Sequence, residues 1–357
     1  MVWRCAEEGL DAASIAGALA DSFGLSLKRA QADVNSILDQ WQQFGLVRDA
    51  ATLDSLKSQS AESDPPTDVV LVESGSYVLG RQAVTIRYFV ASPVVSGMLA
   101  HIERIVSLFS GFAAPAALSP PRVIHYVVGQ DATWIGHGSG YRRFQSFVES
   151  LVDLGSTLLC QAYGEQDWLC RLHGSIMAWG GGAIALPAPS GHGKSTLAAF
   201  LAARGWTYFG DDSTAIDLSM RALPLPTAIS VKAGSLEVLQ GLYPGLASLP
   251  EHAYGAKRVR YLAVDRSAAA IAPLPVAALV FPTYVRPSRS TEKVELRRLS
   301  TIQSVTGLMQ AGLNLGIPVS AAKLAWVATF SQNVPAWSLS YSSLPEAEAA
   351  LRSIGGK

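Results

Sequence analysis

Cysteine is scarce in this chain of 357 residues, with only Cys5, Cys160 and Cys170. Three scattered thiols make neither a disulfide framework nor a cluster of metal ligands, so we expect reduced thiols, as in a cytoplasmic protein. An excess of charge of one sign is also missing, because 28 Lys and Arg residues balance 28 Asp and Glu residues. A neutral chain does not fit a protein that coats nucleic acid or an anionic membrane, so neither is an expected partner.

Long apolar runs are missing as well, since none reaches about 18 residues without a charge, proline or clustered glycine. The start does not resemble a signal peptide, because Arg4, Glu7 and Glu8 interrupt it. Hydrophobic residues make up 49% of the chain and charged residues 16%, which is enough apolar sequence to build sizeable cores. The sequence therefore predicts a folded cytoplasmic protein without membrane spans.

Residues 1–54 form a helical unit in this prediction. Asp11 is a good N-cap and Gly24 a good terminator for a first amphipathic helix, and Ser26 and Gly45 bound a second one. Residues 55–68 are polar and proline-containing, which predicts a linker.

The helical unit resembles the PqqD-like domain, a winged-helix-like peptide chaperone of modified-peptide biosynthesis. The resemblance covers residues 2–49 and depends on Trp3-Arg4, the two helices and Gly45-Leu46-Val47. In that family a β-hairpin precedes the helices, and here Met1 stands directly before them. We therefore expect either a start further upstream or helices that serve as a scaffold.

Strand-like and helix-like runs alternate through residues 69–168, which predicts an α/β part without a motif of its own. The informative motif follows in residues 169–357. An apolar strand over 183–186 leads into Ala188-Pro189-Ser190-Gly191-His192-Gly193-Lys194-Ser195-Thr196 and then into a helix. Strand, glycine-rich loop, Lys-Ser and helix are the context of a phosphate-binding loop. The predicted nucleotide-binding residues are Ser190, Gly191, His192, Gly193, Lys194, Ser195 and Thr196.

Within this loop, Lys194 is expected to reach the β- and γ-phosphates and the Ser195 hydroxyl to hold Mg²⁺. The strict motif has glycine where this chain has Ala188. Because alanine resists a positive φ, the loop must open differently or carry strain there.

A pair of acids follows the loop. Asp211 and Asp212 come after the strand-like run 206–210, so a sheet would carry them to its phosphate edge. One carboxylate can hold a metal ion while the other accepts a hydroxyl proton, which are two requirements of ATP-dependent phosphorylation.

The order His173-Gly174, loop, Asp211-Asp212 resembles the catalytic core of HPr kinase/phosphorylase and its relatives in peptide-modification gene clusters. The resemblance covers roughly residues 170–350. It implies an α/β P-loop kinase domain of the HPr kinase and phosphoenolpyruvate carboxykinase type. It also implies catalytic roles for His173 and Lys194, a proton acceptor in Asp212, and a metal site at Ser195 and Asp211.

Two further segments bear on this resemblance. Residues 281–289 are similar to the family's arginine-bearing segment, which makes Arg289 the expected catalytic arginine and Arg286 the second choice. The family's Glu-x-Arg-Gly segment corresponds to residues 230–233, where Lys232 keeps the cation and the carboxylate is missing. Glu237 is a nearby replacement, so the number of metal ions stays open.

The expected function is an ATP- and Mg²⁺-dependent kinase that phosphorylates a Ser or Thr hydroxyl on a peptide or small protein. The resemblances suggest a ribosomal precursor peptide and other peptide-modifying enzymes as partners, and they are compatible with a homo-oligomer. Two alternatives stay open. One is an ATP-dependent small-molecule kinase or carboxylate activator, and the other is a nucleotide-gated peptide-binding module without catalysis.

Overall fold

The computed structural model describes residues 11–43, 63–79, 82–112, 122–137, 140–145, 147–163, 170–254, 257–286, 294–315 and 320–355. The chain divides into two compact units, residues 1–58 and residues 59–357. The predicted parts 69–168 and 169–357 thus belong to one unit. No helix within the described ranges is long and apolar enough to span a bilayer.

The first unit contains helices α1 (Ala12–Phe23) and α2 (Leu27–Gln43). The predicted caps of α1 are confirmed, because the Asp11 carboxylate accepts from the Ser14 amide at 2.8 Å and Gly24 has a φ of 63°. Ile15, Ala16, Ala30 and Val34 form its small buried core. The predicted terminator Gly45 lies outside the described residues.

The second unit begins with a five-stranded sheet in the order β1-β2-β3-β4-β5. Its strands are β1 (Val69–Leu79), β2 (Gln82–Ala91), β3 (Arg122–Val128), β4 (Thr133–His137) and β5 (Gly140–Phe144). Helices α3 (Ser96–Phe109) and α4 (Phe147–Tyr163) supply the rest of its core, which is built on β-branched and aromatic residues such as Ile86, Tyr88, Ile105 and Tyr126. At the end of the predicted linker, the Ser63 hydroxyl accepts from the Trp134 indole of β4.

A nine-stranded sheet carries the motif residues. It contains β6 (Cys170–Leu172), β7 (Gly174–Trp179), β8 (Gly182–Pro187), β9 (Thr207–Gly210), β10 (Thr214–Ile216), β11 (Arg221–Leu223), β15 (Leu274–Tyr284), β16 (Glu295–Arg298) and β17 (Ala336–Tyr341). A separate three-stranded sheet contains β12 (Ile229–Lys232), β13 (His252–Tyr254) and β14 (Lys257–Leu262). The predicted α/β class is confirmed.

Helices α5 (Lys194–Ala203), α6 (Ala233–Leu239), α7 (Thr301–Gln310), α8 (Ala321–Asn333) and α9 (Leu344–Gly355) pack around these sheets. Helix α5 is apolar on nearly all sides. Leu197, Ala198 and Leu201 are fully buried together with Met177 and Ile184 of the sheet. This burial fixes the N-terminus of α5 at the end of β8.

The strand directions place the residues of the predicted site at one edge of the nine-stranded sheet. Strand β7 is antiparallel to both β8 and β9, so the start of β7 and the ends of β8 and β9 lie at the same edge. His173 precedes β7, the loop of residues 188–194 follows β8, and Asp211 follows β9. Strands β15 and β17 run parallel to β8, so they also end at this edge.

Candidate nucleotide and phosphoryl-transfer site

The predicted phosphate loop, residues 188–194, joins β8 to the N-terminus of α5. Gly191 and Gly193 adopt φ values of 95° and 85°, a region that glycine enters without strain. Ala188 is buried and keeps an ordinary negative φ, so the replacement of the motif's first glycine causes no backbone strain. Of the two outcomes that the sequence left open, strain at Ala188 is therefore wrong.

Gly193 combines a positive φ with close packing against two tyrosines, so any side chain there would be strained. A Cβ at this position would lie 2.5 Å from the Tyr341 hydroxyl and 2.9 Å from Tyr284 Cβ. The Tyr341 hydroxyl also donates to the Gly193 carbonyl at 3.2 Å. The ends of β15 and β17 therefore hold the phosphate loop in place.

Lys194 is the first residue of α5 and is only 5% exposed. Its Nζ donates to His173 Nε2 at 2.6 Å and lies 3.9 Å from Asp212 Oδ1. His173 Nε2 is 3.4 Å from the same carboxylate oxygen. Three of the predicted catalytic residues thus meet beside the loop.

His173 is neutral in this arrangement. Burial and the adjacent Lys194 ammonium lower the pKa of the imidazole, and they outweigh the opposite effect of Asp212. Because Nε2 accepts a hydrogen bond from Lys194, the single ring proton lies on Nδ1. His173 is therefore a polar support for the lysine and not a second cation.

Asp211 is 2% exposed. Its Oδ1 accepts from the Ser175 hydroxyl at 2.5 Å, while its Oδ2 is buried without a hydrogen-bond partner among the described residues. Burial raises the pKa of this carboxyl, and so does the charge of Asp212, whereas Lys194 and Ser175 act in the opposite direction. A buried carboxylate oxygen without a donor is costly unless a cation occupies the site.

The donors around Asp211 fit Mg²⁺. The Ser195 hydroxyl lies near enough to lower the pKa of Asp211. Across the described ranges, no group of three or more His, Cys, Asp or Glu side chains forms a metal cage. Mg²⁺ does not need one, since it commonly uses one or two protein oxygens together with substrate phosphates and water.

Asp212 differs from its neighbour in both exposure and backbone. Its side chain is 63% exposed. Its φ is 66°, and the Ser213 amide donates to the Asp211 carbonyl at 2.8 Å, which closes a three-residue turn around Asp212. Turns of this kind with a positive φ are rare and strained in L-residues. The strained turn aims an accessible carboxylate at the Lys194 ammonium.

A cavity of 550 Å³ lies along the phosphate loop and the N-terminus of α5. Its loop side contains Gly191, Gly193, Lys194, Ser195 and Thr196. The opposite side is largely apolar and is lined by Phe200, Val238, Leu242, Leu344 and Pro345. Backbone N–H groups and the helix N-terminus favour anions at the first side, and the apolar side suits a flat aromatic base.

Two polar contacts connect the loop and the start of α5 to the three-stranded sheet and α6. Lys232 Nζ donates to the Ser190 hydroxyl at 3.0 Å, and the Thr196 and Ser235 hydroxyls are 2.6 Å apart. Lys232 also lines the cavity. The cation that the sequence singled out thus lies beside the phosphate loop.

The other predicted residues have different positions. His192 faces a second cavity of 380 Å³ that also contains Ala188 and Arg297. Arg286 is exposed beyond the end of β15, and Glu237 is exposed on α6 and does not line the 550 Å³ cavity. Arg289 lies outside the described residues.

The sequence did not predict that four further residues belong to this site, namely Ser175, Tyr284, Tyr341 and Ser235. Ser175 had one usable signal, because it stands two residues after His173 and alternate residues of a strand share a face. The tyrosines come from distant strands, and their proximity to Gly193 depends on strand pairing.

A scan of the chain against protein-family models and a search of curated proteins find no significant match. The resemblance to HPr kinase/phosphorylase and to PqqD-like domains therefore stays a prediction from the motif residues.

Proposed function

We propose that this chain is an ATP-dependent P-loop kinase of the HPr kinase type that phosphorylates a Ser or Thr hydroxyl of a peptide or small protein. The main support for this proposal is that the side chains of Lys194, His173 and Asp212 contact one another next to the phosphate loop. Nucleotide binding alone does not require an exposed carboxylate such as Asp212 beside the lysine ammonium, whereas phosphoryl transfer requires a proton acceptor there.

ATP fits the 550 Å³ cavity in one direction. The triphosphate lies against the phosphate loop, where backbone N–H groups, Lys194 and Lys232 offset its charge. The base lies against the apolar side at Phe200, Val238 and Leu242. This orientation brings the γ-phosphate towards Lys194 and Asp212.

Ser195 and Asp211 are the residues that would hold Mg²⁺, with Asp211 Oδ2 as the free carboxylate oxygen. When bound, the ion supplies positive charge that offsets the phosphate oxygens.

Asp212 is the proton acceptor in the proposed reaction. Its carboxylate takes the proton of the acceptor hydroxyl while the hydroxyl oxygen forms a bond to the γ-phosphorus. The bond between the γ-phosphorus and the β–γ bridging oxygen breaks, and ADP leaves with that electron pair. Lys194, held by neutral His173, stabilises the negative charge on the transferred group.

The resemblance of residues 1–54 to a peptide chaperone supports a peptide as the acceptor. Incubation with ATP, Mg²⁺ and Ser- or Thr-containing peptides, followed by intact-mass analysis and nucleotide analysis, tests this. We expect a mass gain of one phosphate on the peptide together with ADP. AMP with an adenylate or amide product would indicate a carboxylate activator, and ATP binding without turnover would indicate a binding module.

A further inference from the structure

Arg171 connects the strained turn at Asp212 to the five-stranded part of the second unit. The residue lies on β6, where it pairs with Ala215 of β10. Its Nη2 donates to the Ser213 hydroxyl at 2.7 Å. On the other side, its Nη1 donates to the Val152 carbonyl at 2.6 Å and to the Ser156 hydroxyl, both on α4.

The position of Arg171 is itself closely determined. Its backbone amide and carbonyl exchange hydrogen bonds with Asn314, at 3.0 and 2.9 Å. A Cβ at Gly155 of α4 would lie 3.2 Å from Arg171 Nη2, so the glycine leaves the space that the guanidinium occupies. Because the guanidinium is planar and carries several N–H donors, it hydrogen-bonds to α4 and to the turn at the same time.

The turn needs such support. A non-glycine residue with a positive φ persists only where its surroundings impose it. The hydrogen bond from the Ser213 amide to the Asp211 carbonyl closes the turn, and the Ser213 side chain is held by Arg171. If Ser213 moves, Asp212 relaxes towards a negative φ and its carboxylate leaves the Lys194 ammonium.

We propose that Arg171 is a positioning residue that acts through Ser213 to hold the Asp212 carboxylate in place for phosphoryl transfer. The expected effect on kcat depends on the proposed kinase function, whereas the expected effect on the position of the Asp212 carboxylate does not. A misplacement of about 1 Å costs up to ~100-fold in rate. We therefore expect loss of kcat without loss of nucleotide affinity, since Arg171 does not line the nucleotide cavity.

Arg171→Lys keeps the positive charge and removes the fork, while Ser213→Ala removes only the link to the turn. Arg221→Lys is the control, because the Arg221 guanidinium on the neighbouring β11 binds the Asp217 carboxylate through Nε and Nη2 and, among the described residues, makes no contact with the turn. Thermal melts and near-ultraviolet circular dichroism establish that each variant is folded.

Two readouts are measured on each full-length variant. The first is the kcat and the KM for ATP in phosphoryl transfer to a peptide or to water. The second is the NMR chemical shift of the His173 imidazole in the protein without nucleotide. This shift is sensitive to the charge of the nearby Asp212 carboxylate and can be measured even if the protein has no kinase activity. Asp212→Asn supplies the reference shift for a site without that charge.

We expect kcat to fall at least ~10-fold in Arg171→Lys and Ser213→Ala with KM for ATP within about twofold. We also expect the His173 resonances to move in the direction seen for Asp212→Asn, and Arg221→Lys to match the wild type. If the wild type transfers no phosphoryl group, the proposed function fails and the resonances alone decide the inference. Unchanged resonances in the folded Arg171→Lys and Ser213→Ala variants overturn it, whatever happens to kcat.

Discussion

Replacement of Asp211 by asparagine should stabilise the free protein. The wild-type carboxylate is 2% exposed, and one of its oxygens has no hydrogen-bond partner among the described residues. Asparagine removes the buried charge and keeps an oxygen that can accept from Ser175. The change therefore removes a desolvation cost without emptying the site.

Asparagine places an amide nitrogen where the unpartnered oxygen was, so the gain is the extra cost of an unpaired charge over an unpaired neutral group, which is on the order of 1–3 kcal/mol. For a unit of this size, each kcal/mol raises Tm by about 2 °C, so we expect a rise of about 2–6 °C near pH 7. The pH dependence follows from the direction of the shift. Because the pKa of Asp211 is raised in the folded state, ionisation lowers the stability as the pH rises above 3.8 and through the folded pKa. The advantage of Asp211→Asn should therefore shrink as the pH falls towards 3.8.

Differential scanning calorimetry across this pH range measures the effect. Asp217→Asn is the control, because Asp217 is equally buried but is paired with Arg221 at 2.7 Å. Its replacement leaves a cation without its partner and should lower Tm. Mg²⁺ with ATP should raise the Tm of the wild type more than that of Asp211→Asn. A lower Tm for Asp211→Asn than for the wild type at neutral pH would show that the buried Asp211 charge does not destabilise the free protein.

Three further predictions concern the loop and the domain organisation. Gly193→Ala should abolish ATP binding, because alanine is strained at a φ of 85° and its Cβ would lie 2.9 Å from Tyr284 Cβ, whereas Gly234→Ala in the same cavity meets no atom within 4 Å and should bind normally in equilibrium dialysis. Lys194→Ala should weaken ATP binding and turnover together, since the lysine contacts phosphate before and during transfer; unchanged affinity in isothermal titration calorimetry would contradict this. Deletion of residues 1–58 should leave the ATP affinity unchanged within about twofold, because these residues form a separate compact unit; loss of binding by the folded remainder would count against it.

Local motifs were the part of this site that the sequence could predict. The loop around Gly193 and Lys194 and the strand that ends before Asp211 are each a short continuous segment of the chain. Glycine and hydroxyl residues are expected in such a loop because they allow its backbone to turn and can bind phosphate or a metal ion. Arg171 and Tyr341 gave no such signal. Their roles depend on which strands pair and on the register of those pairs, and a single sequence does not encode these in a local pattern.

The same limit applies to the backbone at Asp212. Aspartate tolerates a positive φ better than most residues, but nothing in Asp211-Asp212-Ser213 requires it. The strain depends on contacts from β6 and α4, which are 40 to 60 residues away in the chain. The fold class followed from alternating strand and helix patterns, and the division between the two units at residue 58 lies within the linker 55–68 that the composition predicted.

The proposed kinase reaction depends on Asp212 as the proton acceptor, and a single-turnover measurement of γ-phosphoryl transfer by the wild type and by Asp212→Asn tests that role. ATP affinity is measured on the same samples by titration. We expect both proteins to bind ATP with Mg²⁺ equally well and Asp212→Asn to transfer the phosphoryl group about 10²–10⁴ times more slowly. Equal transfer rates in the two proteins would contradict the assignment of Asp212 as the proton acceptor, and ATP binding without transfer by the wild type would contradict the kinase itself.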